Sequence, residues 1–194
     1  MEIIAHRINL ISQLKETPLN YGVEIDLRTE GSKIILNHEP FSKGDLLSDY
    51  LENYSHKTLV ANIKESGIEN DVIDIIKSFS VNSYFLLDVE MPYFYESVKK
   101  GFGNLAVRFS EYENIINAQF FKKKVKWIWI DTVNELPINK ENLNIIKNFK
   151  SCLVCPERWG RMKDIKKYKK QMKALSFQPS AVMTDIKYAE NWIN

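Results

Sequence analysis

The sequence predicts an α/β fold, a compact (β/α)8 TIM barrel, and three observations predict it. Short apolar runs alternate with helix-like stretches along the whole chain, the runs number eight, and they are short and mostly apolar. Runs of this kind suit a parallel sheet covered on both faces, where a half-exposed strand would alternate apolar with polar. Strict β-then-α alternation leaves an open doubly wound sheet or a closed barrel, and eight repeats select the barrel. The chain has 194 residues, whereas about 250 is usual for this fold. The expectation is therefore a pared-down barrel with short helices, a single domain over residues 1–194.

The first strand, Ile3–Ala5, runs into His6-Arg7. The second, Val23–Leu27, carries Glu24 and Asp26. Lys33–Asn37 follows Gly31-Ser32 and reads as a hairpin partner of that strand, ending at His38-Glu39-Pro40. Leu46, Leu47, Tyr50 and Leu51 then form a helical stripe. The third strand, Leu59–Ile63, brings Asn62 and Lys64; a helix stripe of Val72, Ile73, Ile75 and Ile76 follows, with acids in its first turn. Tyr84–Val89 contains Asp88, and Leu105–Val107 ends at Arg108, with Ser110 expected to cap the next helix. Val125–Ile130 carries Trp127 and Trp129 and ends at Asp131. Leu143, Ile145, Ile146 and Phe149 mark another helix, and Cys152–Cys155 leads to Glu157. A lysine-rich helix over residues 163–173 precedes the last strand, Ala181–Met183, which ends in Thr184-Asp185.

With 44% hydrophobic and 12% aromatic residues, the chain can bury a core without outside staples. A net charge of +2 predicts no polyanionic partner, and nucleic-acid binding has no further support, because the tryptophans and the lysine cluster fall on different elements. The six lysines between 163 and 173 read as the solvated face of an amphipathic helix. Their second reading is weak attraction to an anionic membrane surface. Cys152 and Cys155 lack the further Cys or His pair of a zinc site and read as two buried thiols. The N-terminus carries no secretory pattern, and no apolar stretch approaches the ~20 residues of a membrane span. A soluble, cytoplasmic protein is expected; oligomeric state has no signature here.

In a barrel of this class the C-terminal ends of the strands face the site. Glu24 and Asp26 stand two apart on a strand, so both point to one face. Neighbouring carboxylates in an apolar run repel and lose solvation unless a positive charge lies between them. A hard divalent cation, Mg²⁺ or Ca²⁺, suits such oxygens; an ion pair with Arg7, Arg28 or Lys64 serves equally well, and both readings stay open. Of the three histidines, His6 and His38 sit at strand ends flanking the acidic pair, where two imidazoles can serve as general base and general acid. His56 reads as a surface residue. Trp129 shares a face with Trp127 and Asp131 and either walls a sugar or glycerol pocket or fills the core. Arg108 is a candidate phosphate ligand. Glu157, with Arg158 and Arg161, either reaches the substrate or belongs to a loop salt-bridge set.

Taken in order, His6-Arg7-Ile8, Glu24-Ile25-Asp26, His38-Glu39, Asn62-Ile63-Lys64 and Val182-Met183-Thr184-Asp185 resemble the motif set of the glycerophosphodiester phosphodiesterases, within the superfamily that includes phosphatidylinositol-specific phospholipase C. Those enzymes read His-Arg-Gly, Glu-x-Asp, His-Asp, Glu-x-Lys and Val-x-Thr-Asp. The resemblance implies that His6 and His38 are the acid/base pair and that Glu24 and Asp26 bind a divalent cation. It further implies that Arg7 and Lys64 hold phosphate oxygens. In this chain Ile8 replaces the family's glycine, and Asn62 stands where the family has a third metal-binding carboxylate. Asn supplies an amide oxygen without charge, and Asp88, one strand on, is a candidate to compensate. The implied activity is metal-dependent hydrolysis of a glycerol- or sugar-linked phosphodiester, as in lipid turnover. Two alternatives remain: a barrel that binds a phosphorylated ligand with weakened catalysis, and a lyase that stops at a cyclic phosphate.

Overall fold

A computed structural model describes residues 1–193 of the chain. It contains ten strands in one sheet and divides by packing into two compact units, residues 4–96 and residues 97–194 with Met1–Ile3. The first strand, β1 (Glu2–Ala5), is shared between them.

In the unit of residues 4–96, Ile4 and Ala5 of β1 pair in parallel with β2 (Gly22–Glu30), after helix α1 (Ile11–Glu16). β2 turns at Gly31 into an antiparallel partner, β3 (Lys33–Leu36), so the hairpin expected after the second strand is present. β3 pairs with a further short strand, β4 (Asp45–Leu46), which runs straight into α2 (Leu47–Glu52). Leu46, expected on the helix, therefore lies opposite Ile35 in the sheet. The chain reaches β4 by a close crossing, because a Cβ on Gly44 would lie 2.2 Å from the Leu36 carbonyl oxygen. β2 also pairs in parallel with β5 (Leu59–Ile63), which sets Asp26 beside Asn62. After α3 (Glu69–Ser78), β6 (Tyr84–Leu87) pairs with β5, and α4 (Met91–Lys99) follows. The α3 stripe buries Val72, Ile73 and Ile76, and Glu69 and Asp71 place negative charge at the positive end of the helix dipole. His56, read as a surface residue, is half-buried and bonds the Thr17 carbonyl through Nε2 at 2.9 Å.

The second unit continues the rhythm. β7 (Ala106–Phe109), α5 (Ile115–Phe120), β8 (Trp127–Ile130), α6 (Leu143–Ile146), β9 (Lys150–Val154), α7 (Asp164–Ala174), β10 (Ala181–Thr184) and α8 (Glu190–Ile193) follow one another. β7 through β10 pair in parallel in chain order, and the Glu2 N–H donates to the Ser180 carbonyl at the edge of β10. α7 buries Ile165, Tyr168 and Met172 and turns most of its lysines to solvent, as its periodicity predicts. Ser110 does not cap α5: Asn114 does, its side chain accepting from the Ile116 N–H, while Ser110 Oγ accepts from Tyr112 and Glu113 in the preceding turn. Cys152 and Cys155 are buried free thiols, and burial pushes both above the ordinary thiol range. Among the described residues, no helix is long and apolar enough to cross a membrane.

Candidate active site

The site forms along the parallel pairing of β2 with β5. Glu24 and Asp26 are buried on one face of β2, and the register lays Asn62 of β5 against Asp26. The loop after β1 then closes over them. Arg7 adopts φ 53, which turns its N–H onto Glu24 Oε2 at 2.9 Å, and the next N–H, from Ile8, reaches the Glu24 carbonyl at 2.9 Å. Asn9 engages Asp26 twice: its Nδ2 donates to Oδ2 at 2.9 Å, and its Oδ1 accepts from the Asp26 N–H at 2.8 Å. The buried Tyr50 hydroxyl of α2 fixes the same loop from behind, donating to the Ile8 carbonyl at 2.7 Å. Sequence reasoning missed Asn9 and Tyr50.

One amide donor and two cations answer the acids. Asn62 Nδ2 donates to Glu24 Oε1 at 2.8 Å. Lys64 Nζ lies 3.3 Å from Asp26 Oδ1 and 3.5 Å from Asp88 Oδ2, and Arg7 Nε lies 3.9 Å from Asp26 Oδ2. The ion-pair reading of the acidic couple thus holds for Arg7 and Lys64, whereas Arg28 donates to the carbonyls of His38 and Lys64. Burial pushes the Glu24 carboxyl up to about 7, and the Asp26 charge beside it adds to the rise; the hydrogen bonds from Asn62 and Arg7 and the charge of Lys64 only partly offset it.

Two buried oxygens remain without a hydrogen bond, Asp26 Oδ1 and Asn62 Oδ1. Asp26 Oδ1 has the Lys64 ammonium at 3.3 Å and Asn62 Oδ1 has no hydrogen bond, so this pair of oxygens fits a cation that takes oxygen donors. With the Glu24 carboxylate they make a set of two acids and an amide. Asp88 Oδ2 faces the same Lys64 ammonium as Asp26, and among the described residues no three His, Cys, Asp or Glu side chains gather as a metal group.

Both histidine loops are anchored to β2. His6 directly precedes Arg7, and Asn37, directly before His38, donates its N–H to the Asp26 carbonyl at 3.0 Å. His38 Nδ1 lies 2.7 Å from Glu39 Oε1, and this bond holds the Glu39 carboxyl below the usual range. An ionised carboxylate accepts only, so Nδ1 carries a proton and Nε2 is the ring nitrogen that faces away from Glu39.

Arg108, Trp129 and Glu157 belong to the second unit and are engaged within it. Arg108 forms an ion pair with Asp131, and Trp129 is buried opposite Arg108 and Cys152 in the ladder. Glu157 is buried on the turn after β9. Its Oε1 accepts from the Thr184 hydroxyl and from Trp192 Nε1 at 3.2 Å, while the Arg161 guanidinium donates to the Thr132 and Asn134 carbonyls.

No family model matches the sequence, and no curated protein matches it significantly. Solved structures do. A glycerophosphodiester phosphodiesterase from Agrobacterium tumefaciens str. C58 superposes with a TM-score of 0.65 over 100% of both chains, at 9% identity. A glycerophosphoryl diester phosphodiesterase from Parabacteroides distasonis ATCC 8503 superposes with a TM-score of 0.63, covering 98% of this chain and 85% of that one, at 14% identity. The chain has the glycerophosphodiester phosphodiesterase fold. This is an α/β barrel of the (β/α)8 class, as the strand count and spacing predict. In barrels of this class chemistry belongs at the C-terminal strand ends.

Proposed function

We propose that the chain is a phosphodiesterase that hydrolyses a glycerol- or sugar-linked phosphodiester, with His6 and His38 as the acid/base pair and a divalent cation held by Glu24, Asp26 and Asn62. One observation carries the reading: two buried carboxylates, a buried amide and two cationic side chains converge on β2, and the loops that carry His6 and His38 are both hydrogen-bonded to that strand. The fold, shared with named phosphodiesterases, supports it.

Glu24, Asp26 and Asn62 would hold the cation, which would supply positive charge to a phosphodiester. Arg7 and Lys64 add to that charge where it builds in the transition state. One histidine accepts the proton of a substrate hydroxyl next to the phosphodiester as its oxygen bonds phosphorus; the other protonates the leaving alcohol as its P–O bond breaks. The cyclic phosphate is opened by water with the roles reversed. Glu39 holds the His38 ring with Nε2 available for either step.

Turnover of glycerophosphocholine with Mg²⁺ or Ca²⁺ tests the reading. His6→Ala and His38→Ala are each expected to lower kcat by about 10²–10⁴ with unchanged thermal unfolding. Equal turnover in wild type and both variants removes the histidine mechanism. A second reading, ligand binding with weakened catalysis, is favoured by Asn62 in place of a carboxylate.

A further inference from the structure

The net charge of +2 averages two unlike halves. Residues 4–96 carry 8 Lys and Arg against 15 Asp and Glu; residues 97–194 with Met1–Ile3 carry 19 against 10. Within the second unit the charges also separate by end. All nine acids between 97 and 194 fall between the C-terminal end of a strand and the first residue of the helix after it. Nine lysines take the opposite end, where α4 leads to β7, α5 to β8, α6 to β9 and α7 to β10. Those four stretches, 99–105, 121–126, 147–150 and 173–180, contain no Asp, Glu or Arg.

The four stretches form one surface. The Lys126 N–H donates to the Gly103 carbonyl at 2.9 Å, the Lys150 N–H to the Lys126 carbonyl at 2.8 Å, and the Ser180 N–H to Ser151 Oγ at 3.3 Å. Gly103 passes so near the next stretch that a Cβ there would lie 2.9 Å from the Lys124 carbonyl oxygen. All nine lysines are exposed. The dipoles of α4 and α7 favour Lys99 and Lys173 in their last turns. They do not account for residues 122–124 and Lys126, which lie past the end of α5, a helix with no basic residue in its last turn. Lys123 even stands at φ 64, a conformation that suits glycine. Acids adjoin the row at its two ends, Glu96 one helical turn before Lys99 and Glu2 with its N–H on the Ser180 carbonyl. Its middle is a run of like charges that repel one another until an anion covers them.

The row carries aromatic rings as well. Each stretch contains one phenylalanine: Phe102, Phe121 and Phe177 are half-buried and Phe149 is buried, while Phe120, at the end of α5, is 69% exposed. A protein interface is poor in lysine, and a duplex keeps its bases stacked away from such rings. A single strand offers phosphates to the lysines and open base faces to the rings. Without an arginine the row lacks the planar fork that reads base edges, so no sequence preference is expected. We propose that this lysine face, at the end of the second unit opposite its acids, binds single-stranded nucleic acid through the phosphate backbone, with Phe120 stacking on a base. The phosphodiesterase reading is not needed for it.

The test is the fluorescence anisotropy of a labelled oligothymidylate of about 20 nucleotides. Wild type is expected to bind it at low salt. Lys122→Gln/Lys123→Gln/Lys124→Gln is expected to weaken binding about tenfold or more and to flatten the slope of log affinity against log salt by about 2. Phe120→Ser weakens it about fivefold at unchanged slope. Lys166→Gln/Lys167→Gln/Lys170→Gln, on the outer face of α7, removes equal charge and is expected to bind like wild type. No binding by wild type, or equal losses in the two lysine variants, overturns the proposal. So does displacement of the probe by a duplex, polyglutamate or phosphatidylglycerol vesicles as readily, at equal charge, as by unlabelled oligothymidylate.

Discussion

At the register position beside Asp26, Asn62 gives one amide hydrogen to Glu24 and keeps its carbonyl oxygen buried and unbonded. Asn62→Glu replaces that donor with a third negative charge. Without a cation, repulsion then destabilises the strand ends; with Mg²⁺ or Ca²⁺, the added charge is expected to tighten binding by about tenfold or more. Calorimetric titration measures this directly, and unchanged affinity sinks the oxygen set as a cation site. A gain in hydrolysis by the same variant marks a site weakened by Asn62, whereas a loss marks Asn62 as part of a working arrangement. At this scale the sequence was readable where strand geometry governs. Glu24, Asp26, Asn62 and Lys64 fall on one face because side chains repeat every second residue. Asn9 and Glu39 were not readable as site residues, since their roles depend on how a loop folds back on β2 or on a neighbouring ring, which no period encodes.

The three-stranded meander of β2, β3 and β4 carries the His38 loop at its far turn. Its tightest point is Gly44, whose missing side chain lets the backbone pass against the Leu36 carbonyl. Gly44→Ala forces that backbone apart, with an expected loss of about 1–3 kcal/mol in urea unfolding and a displaced His38 loop. Wild-type stability in that variant contradicts the close crossing. The hairpin itself was legible from Gly31-Ser32 between two apolar runs. β4 was not, because two residues cannot display a period of two, and Leu46 continues the helical spacing of Leu47, Tyr50 and Leu51. The eight parallel strands were all foreseen, with ends displaced by a few residues where polar side chains such as Arg28 and Thr29 extend a ladder into the hairpin.

For the whole molecule, the buried Glu24 couples stability to pH. Its carboxyl titrates near 7 when folded and near 4.5 when unfolded. Between those values the folded chain keeps a proton that the unfolded chain releases, so stability falls as pH rises. The contribution is complete below about 4.5 and lost through about 7, up to roughly 3 kcal/mol. In metal-free protein the Tm of wild type minus that of Glu24→Gln is therefore expected to shrink from pH 5 to pH 8; a constant difference refutes the coupling. The fold was legible at 9–14% identity to its structural neighbours because strand–helix rhythm depends on burial alone and tolerates almost any apolar residue. All four tryptophans, Trp127, Trp129, Trp159 and Trp192, and both cysteines lie beyond residue 96. Indole emission and thiol labelling therefore watch only the unit that lacks Glu24 and Asp26. Following the half that holds the candidate chemistry directly requires an introduced fluorophore or a backbone signal such as amide exchange.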